Sequence, residues 1–290
     1  MKEVVIVSAV RTPMGSFGGN LSSVVATKLG ATAIKGAMEK AGIDANIVDE
    51  VFMGNVLQAN LGQAPARQAA IFAGLPNSVP CTTVNKVCGS GLKTVMMAYD
   101  MVRLGEAEVV VAGGMENMTQ APYLLERARD GYRLGHGQVI DMMINDGLWD
   151  VYNDFHMGTA AEMCAREHQI SREDQDSFAI ESYRRATAAI ADGLFKEEIV
   201  PVEVPQRRGD PLRVEQDEEP GRGRPEKIPS LRPVFDKAGT ITAANASSIN
   251  DGAAALTVLS NEKADQLGVK PICRIITQAS VAHEPLYFTT

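Results

Sequence analysis

Cys88 lies in Thr82-Thr83-Val84-Asn85-Lys86-Val87-Cys88-Gly89-Ser90-Gly91-Leu92, where a short β-branched run passes through a tight connection into an apolar helical pattern. The two glycines let the backbone turn sharply and a ligand approach closely. A helix start offers free N–H groups and the positive end of the helix dipole. Both favour a thiolate, which makes a cysteine there a better nucleophile at neutral pH. The same amides could stabilise an oxyanion. The logic is that of the strand–nucleophile–helix elbow of serine hydrolases. A small buried cysteine filling a strand end fits the same residues, and at this level both readings stay open.

Cys81, Cys164 and Cys273 have no glycine-rich helix start beside them, and none of the four cysteines forms a CxxC pair or a zinc spacing. They read as packing residues of a reduced protein. A cysteine nucleophile needs a base. Of His136, His156, His168 and His283, His156 in Asp154-Phe155-His156-Met157-Gly158 is best placed by context, although a ligand-lining or packing role suits it better. His168 reads as an exposed helix residue and His283 as a loop residue. Asn245-Ala246-Ser247-Ser248-Ile249-Asn250-Asp251-Gly252 holds small amide and hydroxyl side chains. These suit an amide-rich ligand, and they equally suit a turn. Between Gln206 and Lys227, Arg207, Arg208, Arg213, Arg222, Arg224 and Lys227 are matched by Asp210, Glu215, Asp217, Glu218, Glu219 and Glu226. That balance predicts a solvated loop, from which one or two arginines could still reach a phosphate.

The elements that must position these residues follow from periodicity and punctuation. Val4–Val10 reads as a buried strand stopped at Pro13, and Glu50–Val56, Cys81–Val84 and Glu108–Ala112 as further strands. Helices are expected from about Val25 to Ala41, stopped by Gly42, from Pro65 to Ala73, stopped by Gly74, and from Gly91 to Leu104. In the last, Leu92, Val95, Met96, Tyr99 and Val102 form the apolar face. Such alternation predicts an α/β fold with a mostly parallel sheet covered on both faces. Ligands on such sheets sit at the carboxyl ends of strands, where Cys88 and Gly113-Gly114-Met115-Glu116 are expected to fall. From about Met118 to Ala244 the alternation stops, apart from one clear helix over Arg172–Asp192, and the stretch reads as an insertion. The sheet pattern returns at Ala253–Leu259, followed by a helix at Asn261–Leu267 and a strand over Ile272–Ala282.

At 290 residues the chain can bury a substantial core. Its net charge of −8, with both signs interspersed, argues against nucleic acid as a partner. No signal-peptide pattern opens it and no stretch reaches the ~20 apolar residues of a membrane span. A soluble, cytoplasmic protein is the expectation, with no membrane partner and no metal.

Taken together, these motifs resemble the thiolase family, and within it the biosynthetic acetyl-CoA acetyltransferases. The resemblance rests on Val10-Arg11-Thr12-Pro13 with Gly15 and Gly18, Asn85-Lys86-Val87-Cys88-Gly89-Ser90-Gly91, Gly113-Gly114-Met115-Glu116-Asn117-Met118, His156-Met157-Gly158, and Asn245-Ala246-Ser247 through Ala254. It implies a thiolase-like αβαβα layered core with an inserted loop domain. In that frame residues 1–117 and 250–268 are the N-terminal core half, 118–249 the loop domain that binds coenzyme A, and 269–290 the first strand of a C-terminal half only begun. Position by position it implies that Cys88 accepts the acetyl group and that Ser247 contacts the pantetheine arm. Leu148, His156, Met157, Phe235 and Ala243 are implied to line the acyl-pantetheine channel.

The implied reaction is the Claisen condensation of two acetyl-CoA to acetoacetyl-CoA and its reverse thiolysis, with coenzyme A as substrate and no prosthetic group. A homo-oligomer is implied as well. The family's Gly-His-Pro and Cys-x-Gly-Gly-Gly motifs, which carry the base and the second acid/base cysteine, do not occur in these residues. Two explanations fit, a split thiolase whose remainder is a separate C-terminal chain and a truncated gene product. The expectation leans to the separate C-terminal thiolase chain as partner, with negligible turnover without it. Two alternatives remain: a degradative 3-ketoacyl-CoA thiolase, and a non-catalytic acyl-CoA-binding subunit of a larger complex.

Overall fold

The computed structural model describes residues 1–290 and divides them into two compact units. One comprises 1–120, 195–217 and 250–279. The other comprises 121–194, 218–249 and 280–290.

The first unit is built on a sheet. Its strands are β1 (Val4–Arg11), β2 (Glu50–Gly54), β3 (Cys81–Val84), β4 (Val109–Asn117), β5 (Asn250–Ser260) and β6 (Cys273–Arg274), with a short strand Gly15–Ser16 paired to the start of β5. The spatial order is β6-β1-β5-β4-β2-β3. Parallel pairing is confined to β2 with β3 and β2 with β4, and β5 runs antiparallel to both of its neighbours. The sheet is therefore mixed, where strand–helix alternation predicts a mostly parallel one. The reason is β5: it enters from a distant part of the chain, and no crossover helix fixes its direction.

Period-two alternation sorts the strand residues onto two faces. Val5, Val7, Val51, Met53, Val109 and Val111 join one buried cluster with helices α1 (Ala26–Ala41) and α2 (Pro65–Phe72). Val4, Phe52, Val110, Ala112 and Val258 join another with helix α3 (Ser90–Leu104). The layers are thus helix, sheet, helix. Helix α1 buries the expected stripe of Leu29, Ala33, Ile34, Ala37 and Met38, and Gly42 closes it at φ 65°. In α3 the inward face is instead Thr94, Ala98, Tyr99 and Val102, and Leu92 is exposed. Two further expectations fail. β4 extends through Gly113-Gly114-Met115-Glu116, which sit inside the strand and not beyond its end, because β5 pairs with it as far as Asn117. The run 272–282 is strand only at Cys273–Arg274, where β1 offers it a partner.

The charged stretch is also more ordered than its composition suggests. Val202–Val204 and Leu212–Val214 pair as a hairpin whose Val202, Val204 and Val214 are buried in the first unit's core. Asp217 makes a two-pronged ion pair with the Arg11 guanidinium, at 2.7 and 2.9 Å, and accepts the Met14 amide. Glu198 takes the Arg11 Nε at 2.7 Å.

The second unit is helical and loop-rich, with α4 (Met157–Glu167), α5 (Arg172–Ala191) and short hairpins at Tyr123–Leu125 with Val139–Asp141 and at Trp149–Asp150 with Phe155–His156. No helix in either unit is long and apolar enough to cross a membrane.

Candidate active site

Cys88 is exposed, one residue ahead of Gly89, the residue that caps α3. The elbow's strain sits on Val87, whose φ of 48° is left-handed for a β-branched residue. Such a conformation costs on the order of 1–3 kcal/mol and persists only where neighbours enforce it. Here Ser90 enforces it: its hydroxyl accepts the Lys86 amide at 2.7 Å and donates to the Val87 carbonyl at 2.6 Å. Asn85 Oδ1 accepts the Val87 amide at 3.0 Å. The amides of Gly89 and Ser90 donate back to Lys86 and Val87 carbonyls. They are not open to an oxyanion, which narrows the expectation of several free amides beside the nucleophile.

The start of α3 lies directly on the sheet. A Cβ on Gly54 would come within 2.8 Å of the Gly91 nitrogen and the Ser90 carbonyl carbon, and a Cβ on Gly113 would overlap the Ala254 carbonyl. Thr94 Oγ1, wholly buried, donates to the carbonyls of Gly91 and Gly113. A Cβ on Gly114 would come within 3.4 Å of the Gly91 Cα, so Gly54 and Gly114 serve close backbone packing under the nucleophile's helix, while Gly113 is kept bare by strand β5. Beside them, Glu116 accepts the Asn55 side-chain amide and the backbone amides of Val56 and Leu57. Burial pushes the Glu116 carboxyl up, and those amides oppose it. Asn55 Oδ1 is buried with no partner. Cys81 is half-buried on the edge strand. Burial pushes its thiol up, against the pull of Arg67. That is the reverse of what an activated cysteine needs.

The other residues implied by the resemblance lie in the second unit. His156 caps α4: its Nδ1 accepts the Gly158 amide at 3.0 Å. Its ring stacks on Phe235, with centroids 4.9 Å apart and planes 22° apart. Burial holds the His156 imidazole below the ordinary histidine range. Met157 opens α4, and Leu148 ends a π-helical turn over Met143–Leu148 that leads into Trp149, the cross-strand partner of His156. π-turns of this kind often mark functional sites.

Ala243 and Ser247 are exposed, and the Ser247 hydroxyl makes no hydrogen bond in the chain. Their loop is fixed from below. Buried Glu162 accepts the amides of Thr240 and Ile241, and Asn245 donates to Asp176 at 3.0 Å while Arg172 holds Asp176 at 2.7 Å. Asn245 is therefore scaffold, and Ser247 is the polar group left open. Glu162 and Asp176 carry no sequence signal of these roles. Only Ser90, three residues after Val87, has the spacing of a local cap.

Comparison with known proteins agrees with this architecture. The model of the thiolase N-terminal domain matches residues 4–262. An acetyl-CoA acetyltransferase of Schizosaccharomyces pombe is 54% identical over 289 residues, covering 99% of this chain and 73% of that protein. Acetyl-CoA acetyltransferase 2 of Arabidopsis thaliana is 55% identical, covering 100% of this chain and 72% of that protein. The mitochondrial acetyl-CoA acetyltransferase of Danio rerio is 52% identical over 99% of this chain. The chain belongs to the thiolase family.

Proposed function

We propose that the chain is an acetyl-CoA C-acetyltransferase that condenses two acetyl-CoA to acetoacetyl-CoA and free coenzyme A, and runs the reverse thiolysis. One observation carries the reading. An exposed cysteine stands at a strained, hydrogen-bonded elbow whose helix is seated backbone to backbone on the sheet. The names of its relatives point the same way.

In the first half-reaction the Cys88 thiolate attacks the thioester carbonyl of acetyl-CoA. A new carbon–sulfur bond forms, and the coenzyme A sulfur leaves with the electron pair and takes a proton. In the second, another acetyl-CoA gives up a methyl proton to a base, and its carbon attacks the acetyl-Cys88 carbonyl. The Cys88 sulfur leaves, and acetoacetyl-CoA is released. Leu148, His156, Met157, Phe235, Ala243 and Ser247 hold the acyl-pantetheine arm, a role suited to the apolar stack at His156 and the open hydroxyl at Ser247. The base and the second acid/base thiol belong to the Gly-His-Pro and Cys-x-Gly-Gly-Gly motifs of a C-terminal thiolase segment, which these residues do not contain. Losing proton-transfer groups of this kind costs roughly 10²–10⁴-fold or more. The working form is a cytoplasmic homo-oligomer.

The test is incubation with labelled acetyl-CoA in the presence of such a segment, followed by peptide mapping. The label is expected as a thioester on the Cys88 peptide, and Cys88→Ala should abolish it. Absence of label at any pH would replace catalysis with an acyl-CoA-binding role.

A further inference from the structure

His156 is held from two sides. Its Nδ1 accepts the Gly158 amide, and Phe235 stacks along its face. The two constraints are linked, because a Cβ on the buried Gly158 would run into the Phe235 ring edge. Glycine at 158 is what lets Phe235 reach the imidazole.

A ring nitrogen that accepts from an N–H carries no proton itself, so in the neutral ring the proton lies on Nε2. Nε2 makes no hydrogen bond within the chain. We propose that Gly158 and Phe235 are positioning residues that hold His156 as the Nε2–H tautomer, so that it presents a fixed hydrogen-bond donor to an oxygen of the bound ligand and does not act as a general base.

To act as a base through Nε2, the ring would need its resting proton on Nδ1. That places two N–H groups face to face at the first turn of α4 and removes the cap. Protonating the ring does the same. Asp150 accepts from Tyr152 and Asn153, and Asp154 from the Trp149 indole, and neither carboxylate bonds to the His156 ring. The stack excludes water from one face of the ring, which also favours the neutral form. The ligand oxygen rests on the acetyl-CoA reading above, where a thioester carbonyl is the acceptor at hand.

The experiment uses the full chain with ¹⁵N-labelled histidine and long-range ¹H–¹⁵N correlation, with His156 assigned by its loss in His156→Gln. At neutral pH a single Nε2–H pattern is expected. In Phe235→Leu and Gly158→Ala, averaging of the two tautomers and charging at a higher pH are expected. An Nδ1–H or charged ring in the unmodified protein overturns the proposal, as does an unchanged pattern in both variants. Phe235→Leu keeps the question answerable if Gly158→Ala does not fold. Acetyl-CoA is added last. A shift at Nε2 supports the donor role, and no shift overturns it. The tautomer is read before ligand is present, and Cys88 labelling is read on a different residue, so each failure is distinguishable.

Discussion

Replacing Gly54 by Ala tests whether the Cys88 elbow depends on backbone contact between β2 and α3. The new methyl would sit 2.8 Å from the Gly91 nitrogen, the Ser90 carbonyl carbon and the Ser90 Cβ. Ordinary contact begins near 3.4 Å, so the helix start must retreat by roughly 0.6 Å. No flexible side-chain end is available to yield. Overpacking of this kind costs about 1–3 kcal/mol. The alanine recovers about 0.5–1 kcal/mol by restricting the unfolded chain, which leaves a net loss of up to about 2.5 kcal/mol. Cys88 moves with the helix start. A misplacement near 1 Å costs on the order of 10²-fold in reaction rate, so a fall of about tenfold in Cys88 acetylation is expected.

Gly91→Ala is the internal control. Its methyl would meet nothing nearer than 3.9 Å, and it lies in a helix, where alanine is favoured over glycine by about 0.5–1 kcal/mol. Urea midpoints and Cys88 labelling rates of the two variants give the answer. Equal stability for the two, with unchanged labelling in Gly54→Ala, would refute the argument that bare backbone contact seats the nucleophile.

Two further perturbations follow from ion pairing and burial. Arg11→Ala leaves Asp217, whose side chain is 9% exposed, without its guanidinium partner; a loss of about 2–4 kcal/mol is expected, read by urea unfolding and reduced when Asp217→Asn is added. Because burial depresses the His156 pKa, the native state binds fewer protons than the unfolded chain as pH falls below the ordinary histidine value of 6.5. Stability contributed by this group is full above that value and is lost as pH drops towards the lower folded value. Urea midpoints between pH 7.5 and 5 should show this slope, and His156→Gln should remove its share. Glu116, pushed upward, contributes with the opposite sign, so the difference between the two proteins is the quantity to read.

Much of the scaffold was legible where a residue type admits one local answer. Gly42 ends α1 in left-handed geometry, Pro65 opens α2, and the alternating valines of β1 and β4 separate onto two faces. What escaped depends on a partner that is distant in sequence. Leu92 fits the helical stripe, yet the inward face belongs to Thr94 and Ala98, with Thr94 donating to the Gly113 carbonyl of a strand that lies outside the helix's own pattern. Gly113-Gly114 reads as punctuation from within its own segment and becomes mid-strand only once β5 pairs with it. Asp217 reads as one charge among a balanced dozen until Arg11, more than 200 residues earlier, folds onto it.

The candidate site divides along the same line. Cys88 was legible because its signal, strand to glycines to helix, is local. Of the supporting residues only Ser90 acts locally; Thr94 in the first unit, and Glu162 and Asp176 in the second, each act on backbone or side chains that only the fold brings near. These are short polar side chains, common on solvated surfaces, and burial alone tells them apart. Ser90 beside Cys88 and Asn245 beside Ser247 are already hydrogen-bonded, while Cys88 and Ser247 are left exposed. An exposed reactive group on a hydrogen-bonded support is what a preorganised site requires. It follows that truncating the supports should lower rate and affinity together, whereas truncating Cys88 should remove the covalent step alone.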